Sequence, residues 1–417
     1  VADGYAAAAE SAQRWRAVRA VLTANRHELT RVAAGLYPEI PRVGPAELLC
    51  REEWLPGVPL GLDELPVTWD GAPADGTSPD GTSPGATSPG ATAAGGAAPD
   101  GTAAGEKARA ASRYRAGSEQ VRPLRPDGER YASYAEAVAA LDPPELLEDR
   151  ACYRLLDARL TGVPGLRFGG IGYFAGMDLG HSVAHELAAA WEHGAGAVRM
   201  AGLPLRALAG DPCALAGRPG LVAVTTLTLR RGPAGDASFV LHWRDPAKVN
   251  HGGGLYQVMP VGIFQPVTDA AAAVRHDLSL WRSMAREFSE EFLGTPEDYQ
   301  THGGLLDYDG WPFYRRLTAA RREGRLTVHC LGLGVDPLTF ATDILAVAVF
   351  DAPLFDAEFA HLVARNAEGR VITGDGATGI PFTTETIARL TGGGEPLQAA
   401  GAAVLSLAWQ HRRRLLG

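Results

Sequence analysis

The stretch "WRSMAREFSEEFLG", Trp281 to Gly294, places Glu287, Glu290 and Glu291 close together and leads into them with Arg286. At about 100° per residue, with Glu287 at zero, Glu291 falls at about 40° and Glu290 at about 300°, so all three share one helix face. Leu278, Trp281, Met284, Ala285, Phe288 and Phe292 gather on a second face roughly 120° away. The pattern predicts a helix that buries an aromatic stripe and displays carboxylates beside it. Like charges at this spacing repel. Two explanations stand side by side: a solvated helix face, or a site for a hard divalent cation such as Mg²⁺ or Mn²⁺, which takes oxygen ligands. On the second, Glu287, Glu290 and Glu291 are the metal ligands, and Arg286, one turn ahead of Glu290, is expected to bridge to it.

Outward from this segment the hydrophobic period changes. "LVAVTTLTLRR", "ASFVLHWRD" and "LYQVMPVGIFQPV" are rich in β-branched and aromatic residues between Gly, Pro and Asp, and predict strands. "RLTVHCLGLGVD" and "TDILAVAVFD" predict two more on the far side, and "PLQAAGAAVLSLAWQHRRRL" a closing helix. Strands flanking a central helix predict an α+β sandwich over 216–417. Toward the N-terminus, "AESAQRWRAVRAVLTANRHELTRVAAGLYP" predicts one long amphipathic helix stopped at Tyr37-Pro38. "YASYAEAVAAL", "PELLEDRACYRLLDARL" and "HSVAHELAAAWEHG" also read as helical, the last ending at Gly194. Between these parts, Asp75 to Gly105 is a decaying pentapeptide repeat without aromatic residues. Such a segment buries too little to offset its ordering entropy and predicts a disordered, dispensable linker.

The 417 residues suffice for two or three domains, and 46% hydrophobic with 21% charged residues is ordinary for a folded soluble chain. A net charge of −9 argues against nucleic-acid or anionic-membrane binding. No apolar run is long enough to span a bilayer, and the opening residues lack a signal-peptide core. Cys50, Cys152, Cys213 and Cys330 are scattered with no CxxC pair, which points to a reduced, cytoplasmic setting.

"REFSEEFLG" resembles the core of the Nudix box, whose pattern is G-x5-E-x7-R-E-U-x-E-E-x-G-U with U aliphatic. Arg286, Glu287, Phe288, Glu290 and Glu291 fit R-E-U-x-E-E in register. "YQVMPVG", Tyr256 to Gly262, is similar to the strand end that leads into that box. The departures are that Gly294 comes one residue late, Gly262 stands farther ahead of Arg286, and Leu278 occupies the upstream glutamate position. The resemblance implies a Nudix-like α/β/α sandwich with a mixed sheet over 216–417. Ahead of it the expected order is an N-terminal helical region (1–69), the repeat linker (70–106) and a second helical region (107–215). It also implies Mg²⁺-dependent hydrolysis of a nucleoside diphosphate derivative, with Arg286, Glu287, Glu290 and Glu291 catalytic. The sequence does not identify the general base; one of these glutamates or Asp343 could serve. A second resemblance rests on "EDRACYRLLD", "GHSVAHELAAA", "LHWRDPAKVNHGGGLYQVMPVGIFQPV" and "LGLGVDPLTFATDILAV". These are similar to a bacterial family of regulators whose members commonly carry a helix-turn-helix module. The first 40 residues read as one helix rather than such a module, so the alternative function is nucleotide-ligand sensing without turnover. A pathway-specific enzyme using the Nudix fold for other chemistry is the third reading.

Other segments bear on the ligand. Arg244, Lys248 and His251 share one segment whose cations suit a diphosphate, since charge-assisted bonds to phosphate are strong. With Tyr256 and Gly262 they form the expected substrate-binding set for a small nucleotide-like ligand. "HGGG", His251 to Gly254, is a turn that lets backbone approach a ligand, with no G-x-S-x-G elbow to make it an oxyanion hole. His181 and His185 stand at i, i+4 beside Glu186. "HSVAHE" matches neither HExxH nor its inverse, so packing is the expectation. "LGLGVDPLTFATD" lacks the Lys-Ser/Thr of a P-loop. The sequence leaves a homodimer open.

Overall fold

A computed structural model describes residues 2–70, 114, 116–144, 147–244, 254–297, 299, 301–302, 304–362, 369–372 and 379–417. The Asp75–Gly105 repeat, Lys248 and His251 lie outside the described residues.

Trp15, Val18 and Leu22 recur at helical spacing and are buried along α1 (Ala2–Ala24); α2 (Arg26–Gly35) follows after Asn25. The sequence predicts one uninterrupted helix here, and the structure breaks it. Asn25, at φ −118° and ψ 20°, turns the chain while its amide donates to Val21 O at 2.9 Å. Such a side chain competes for local backbone groups. Two short strands, β1 (Leu60–Gly61) and β2 (Val67–Trp69), precede α3 (Tyr134–Leu141), which Ser133 caps by accepting from Glu136 N at 3.0 Å.

The segment "PELLEDRACYRLLDARL" is not helical in its second half. Ala151–Arg159 forms β3, antiparallel to β4 (Gly165–Gly172), which in turn runs parallel to β2. Tertiary contact overrides the helical pattern: the Tyr153 ring lies 4.4 Å from Phe264, and its N–H donates to Phe264 O at 3.0 Å. The region 107–215 is therefore mixed rather than helical. It continues through α4 (Tyr173–His193), ended at Gly194 as the sequence predicts, and α5 (Pro204–Ala209).

Downstream come β5 (Val222–Arg231), β6 (Ala237–Phe239), β7 (Leu241–Arg244), β8 (Tyr256–Val258) and β9 (Val261–Ile263). Next are α6 (Ala271–His276), α7 (Leu280–Glu287), the two-residue strands β10 (Thr301–His302) and β11 (Leu305–Leu306), and α8 (Pro312–Arg322). β12 (Leu326–Val335) and β13 (Thr342–Asp351) lead to α9 (Ala352–Glu358). β14 (Gly369–Ile372), β15 (Ile380–Pro381), α10 (Thr384–Thr391), α11 (Ala399–Gln410) and the short α12 (Arg412–Leu415) follow.

The main sheet runs β1-β12-β13-β5-β6-β15, with β9 also on β5. Only β13 and β5 pair in parallel; the other ladders of this sheet are antiparallel, so the chain has an α+β fold with a mixed sheet. β13 is buried along almost its whole length, which is why it reads as a continuous apolar run: helices cover both its faces. Phe350 meets Phe288 just past α7 on one face, with ring centroids 5.4 Å apart. On the other, Gly332, paired with Leu345, leaves room for Leu407 of α11. The strand predicted over "LYQVMPVGIFQPV" divides at Met259-Pro260: β8 joins a smaller sheet, β14-β7-β8, while β9 joins the main one. One apolar core runs from Tyr37 to Leu415, and among the described residues no helix is long and apolar enough to cross a membrane.

Candidate functional site

The aromatic stripe fixes the acidic segment in place. Trp281, Met284, Ala285, Phe288 and Phe292 are all buried, and Leu278 packs on the same core. Phe288 and Phe292 lie among Phe350, Phe355 and Phe359, with Phe292 4.7 Å from Phe359. Burying each such ring contributes about 1.5–3 kcal/mol. α7 does not end at Glu287 but widens into a π turn over Phe288–Phe292. A π turn holds one more residue than an α turn and recurs at functional sites. Gly294 terminates it at φ +68°, where a side chain would be strained, and its N–H donates to Glu290 O at 3.0 Å.

Glu287 and Glu291 meet the start of β9, and the charge of Glu290 acts on Glu287 beside them. Glu287 lies over Gly262 so closely that a Cβ there would stand 1.9 Å from its carboxyl carbon. Gly262 is thus the floor on which this carboxylate rests. Glu291 is buried and accepts from Val261 N at 2.9 Å. Glu290 accepts from the Tyr299 hydroxyl at 2.7 Å. Glu287 itself makes no hydrogen bond or ion pair among the described residues. Glu287 and Glu290 keep part of their surface open, so the group forms a recess rather than a sealed void.

Arg286 does not bridge to Glu290. It is buried, donating to Tyr308 OH at 3.0 Å and to Gln265 O at 2.5 Å, with Asp277 at 3.6 Å. Because helix geometry turns adjacent residues by about 100°, Arg286 points beneath the helix while the glutamates face the recess. Tyr299 does the holding expected of it. Tyr299, Asp277 and Tyr308 were not singled out by spacing, since each arrives from a separate loop or helix end. Glu297 is a fourth carboxylate nearby: its charge acts on Glu287 and Glu290, and Arg150 pairs with it at 2.7 Å.

These surroundings displace protonation. Burial, followed by the charges of Glu290 and Glu291, raises Glu287 well above the usual carboxylate range, against a lowering pull from Arg286. Burial pushes Glu290 up to about 7, although the Tyr299 hydrogen bond opposes it. A carboxyl raised in the fold above its unfolded value stabilises the fold at low pH, and that stability is lost as pH rises through the folded value. Without divalent cations, Glu290 alone should lower the unfolding free energy between pH 5 and pH 8 by up to about 3 kcal/mol, against the opposite slope of His181 and His185, which burial holds down to about 3. Urea titrations in EDTA check this, with Glu290→Gln removing its share of the slope. Asp343, pushed up to about 7 by burial, adds to the same trend, so Asp343→Asn is measured in parallel. A slope left unchanged by Glu290→Gln would show that this carboxylate remains well hydrated.

Asp343 is set apart from the glutamates as a general base. Gly262, which faces Glu287, pairs with Val224, and Val224 with Ile344. Successive strand residues alternate faces, so Asp343 lies on the opposite side of the sheet, accepting from Thr225 Oγ1 at 2.8 Å.

Of the described members of the expected substrate-binding set, Arg244, Tyr256 and Gly262, it is Gly262 that meets the glutamates. Arg244 stands at the end of β7 on the smaller sheet, where its charge acts on Arg26, and Tyr256 packs its ring 4.9 Å from Trp243. His181 and His185 are packing residues: both rings lie against Tyr134, and His185 Nδ1 is 3.1 Å from its hydroxyl. Glu186 accepts from Leu205 N and Arg206 N at the start of α5. All four cysteines are free and buried. Among the described residues no group of three or more His, Cys, Asp or Glu is arranged so that it could hold a metal ion without other ligands. No protein-family model matches this chain, and no curated protein matches it.

Proposed function

We propose that the recess of Glu287, Glu290 and Glu291 holds Mg²⁺ or Mn²⁺ and that the chain is a divergent Nudix-type hydrolase of a nucleoside diphosphate derivative. The observation that carries this is Glu287. A half-buried carboxylate facing the charges of two further carboxylates is costly to ionise, and Arg286 offsets only part of that cost. Such an arrangement suits a hard cation. Mg²⁺ in particular uses one or two carboxylates together with waters and substrate phosphates rather than an all-protein cage. The π turn also supports the resemblance, since one added residue in the helix accounts for Gly294 falling one position late.

When bound, such an ion polarises a phosphoryl oxygen and lowers the pKa of a coordinated water. Glu287 and Glu291 would hold it, fixed by Gly262 and by Val261 N–H. Glu290, raised to about 7 and oriented by Tyr299, is suited to accept the proton of the attacking water near neutral pH.

Calorimetric titration with MnCl₂ and MgCl₂ tests the site. The parent should bind one ion, and Glu290→Gln with Glu291→Gln should weaken it by about a hundredfold or more. Gly262→Ala should also weaken it, because the new methyl displaces Glu287. Unchanged cation binding in both variants would leave a merely solvated acidic face. Cation and nucleotide binding without product, in a screen of nucleoside diphosphate derivatives, would hand the chain to ligand sensing.

A further inference from the structure

A cleft of about 890 Å³ opens between α1, α2 and α4, and none of the three glutamates lines it. Its wall carries Arg16, Arg19, Arg26, His27 and His181. Among the described residues that line it, the carboxylates are Asp142 and Glu28, and each has a partner: Arg19 at 2.8 Å for Asp142, Arg31 at 2.7 Å for Glu28. Arg16 spends two of its donors on a neutral acceptor, Leu141 O, at 3.1 and 2.9 Å, so its charge is not cancelled there. Arg26 is buried, which lowers its pKa; the charge of Asp336 opposes that, and Arg244 on β7 adds a smaller like charge.

Three further features point the same way. The first turn of α2 lines the cleft with Arg26, His27 and Glu28, so the positive end of that helix adds to the arginines. His27 Nε2 is closed off from solvent without a hydrogen-bond partner. His181 is pushed down to about 3, first by burial and then by the charges of Arg19 and Arg26, so the region is felt as positive by the groups already in it. Leu22 and Leu255 supply apolar wall, and the volume falls within the roughly 300–1,000 Å³ range of small-molecule sites.

We propose that this cleft is a second ligand site, one that takes a phosphate-bearing small molecule with the phosphate between Arg16 and Arg26 and its apolar part against Leu22 and Leu255. It stands independently of the hydrolase reading. Binding there would bridge α1, α2 and α4, and so stabilise their packing.

The test is calorimetric titration of the full chain with inorganic pyrophosphate in EDTA, so that no divalent cation serves the glutamates. Saturable binding is expected. Arg16→Ala, an exposed position, should weaken it by about tenfold. Glu28→Gln removes a negative charge from the wall and should strengthen it. Glu287→Gln should leave it unchanged, which separates this site from the acidic recess. Arg26→Met should abolish binding; should that variant fail to fold, Arg16→Ala and Glu28→Gln still decide. No saturable binding in the parent up to roughly 10 mM, weaker than small-anion sites of this kind, would overturn the proposal. So would parental affinity in Arg16→Ala, or loss of affinity in Glu287→Gln.

Discussion

Replacing Arg286 with methionine should cost about 3–5 kcal/mol of stability, the range for removing one partner of a buried ion pair. Asp277 is completely buried, so the variant leaves its charge without a cation. The remaining donors are Val267 N–H at 2.8 Å and Tyr308 OH at 2.9 Å, and Tyr308 itself loses its contact with Arg286 Nη1. Burial alone would pull the Arg286 pKa down, yet Tyr308, Asp277 and Glu287 hold it above its ordinary value, which marks how strongly the site favours the charged form. Arg286→Lys should recover only part of the loss, because a single ammonium cannot span Tyr308 OH and Gln265 O as the guanidinium fork does. Arg286→Met with Asp277→Leu should be more stable than Arg286→Met alone, since the second change removes the orphaned charge. Urea denaturation in EDTA of the parent, Arg286→Met, Asp277→Leu and the double variant measures the cycle, with Arg286→Lys alongside. A single Arg286→Met variant within about 1 kcal/mol of the parent, ordinary for a surface change, would show that water or a rearranged side chain reaches Asp277.

The same residues show how far spacing alone carries. The faces of "WRSMAREFSEEFLG" follow from helical geometry, and the burial of Trp281, Met284, Phe288 and Phe292 agrees with them. The partner of Arg286 does not follow, because Asp277 belongs to the turn before α7 and Tyr308 to a segment after it. Nothing periodic links those positions to Arg286; only the folded chain places them beneath it. Tyr299 is a similar case, carried to Glu290 by the turn after Gly294. β12 and β13 were legible because two covered faces demand apolar residues at every position, whereas β3 was not. Its "CYRLLDAR" carries leucines and arginines at a spacing that helices also use, and its strand state depends on β4 and on Phe264. The choice of general base, which the sequence leaves open between the glutamates and Asp343, narrows for a different reason. Proximity in a sheet depends on the parity of strand positions, and that parity is set by the register with β5. The arginine cleft was invisible in sequence because Arg16, Arg26 and His181 come from three helices.

Glu290→Gln should lower turnover by about a thousandfold with whichever nucleoside diphosphate derivative the parent cleaves, while substrate affinity stays within about threefold. A group that accepts a proton in the transition state matters little to ground-state binding, so kcat falls and Kd does not. The pH dependence makes the assignment specific. Glu290 must be ionised to act as base, so kcat should rise with pH through its pKa, which lies near 7 before any cation is bound. A bound cation favours the charged carboxylate and moves that limb to lower pH. Tyr299→Phe removes a hydrogen bond that lowers the Glu290 pKa, so it should move the limb upward without abolishing turnover. Loss of metal binding is a separate failure, read by the manganese titration, and Glu290→Gln is interpreted only at saturating Mn²⁺. A kcat limb unmoved by Tyr299→Phe would assign the proton to another group. Parental turnover in Glu290→Gln at saturating Mn²⁺ would mean that the bond is broken away from this helix.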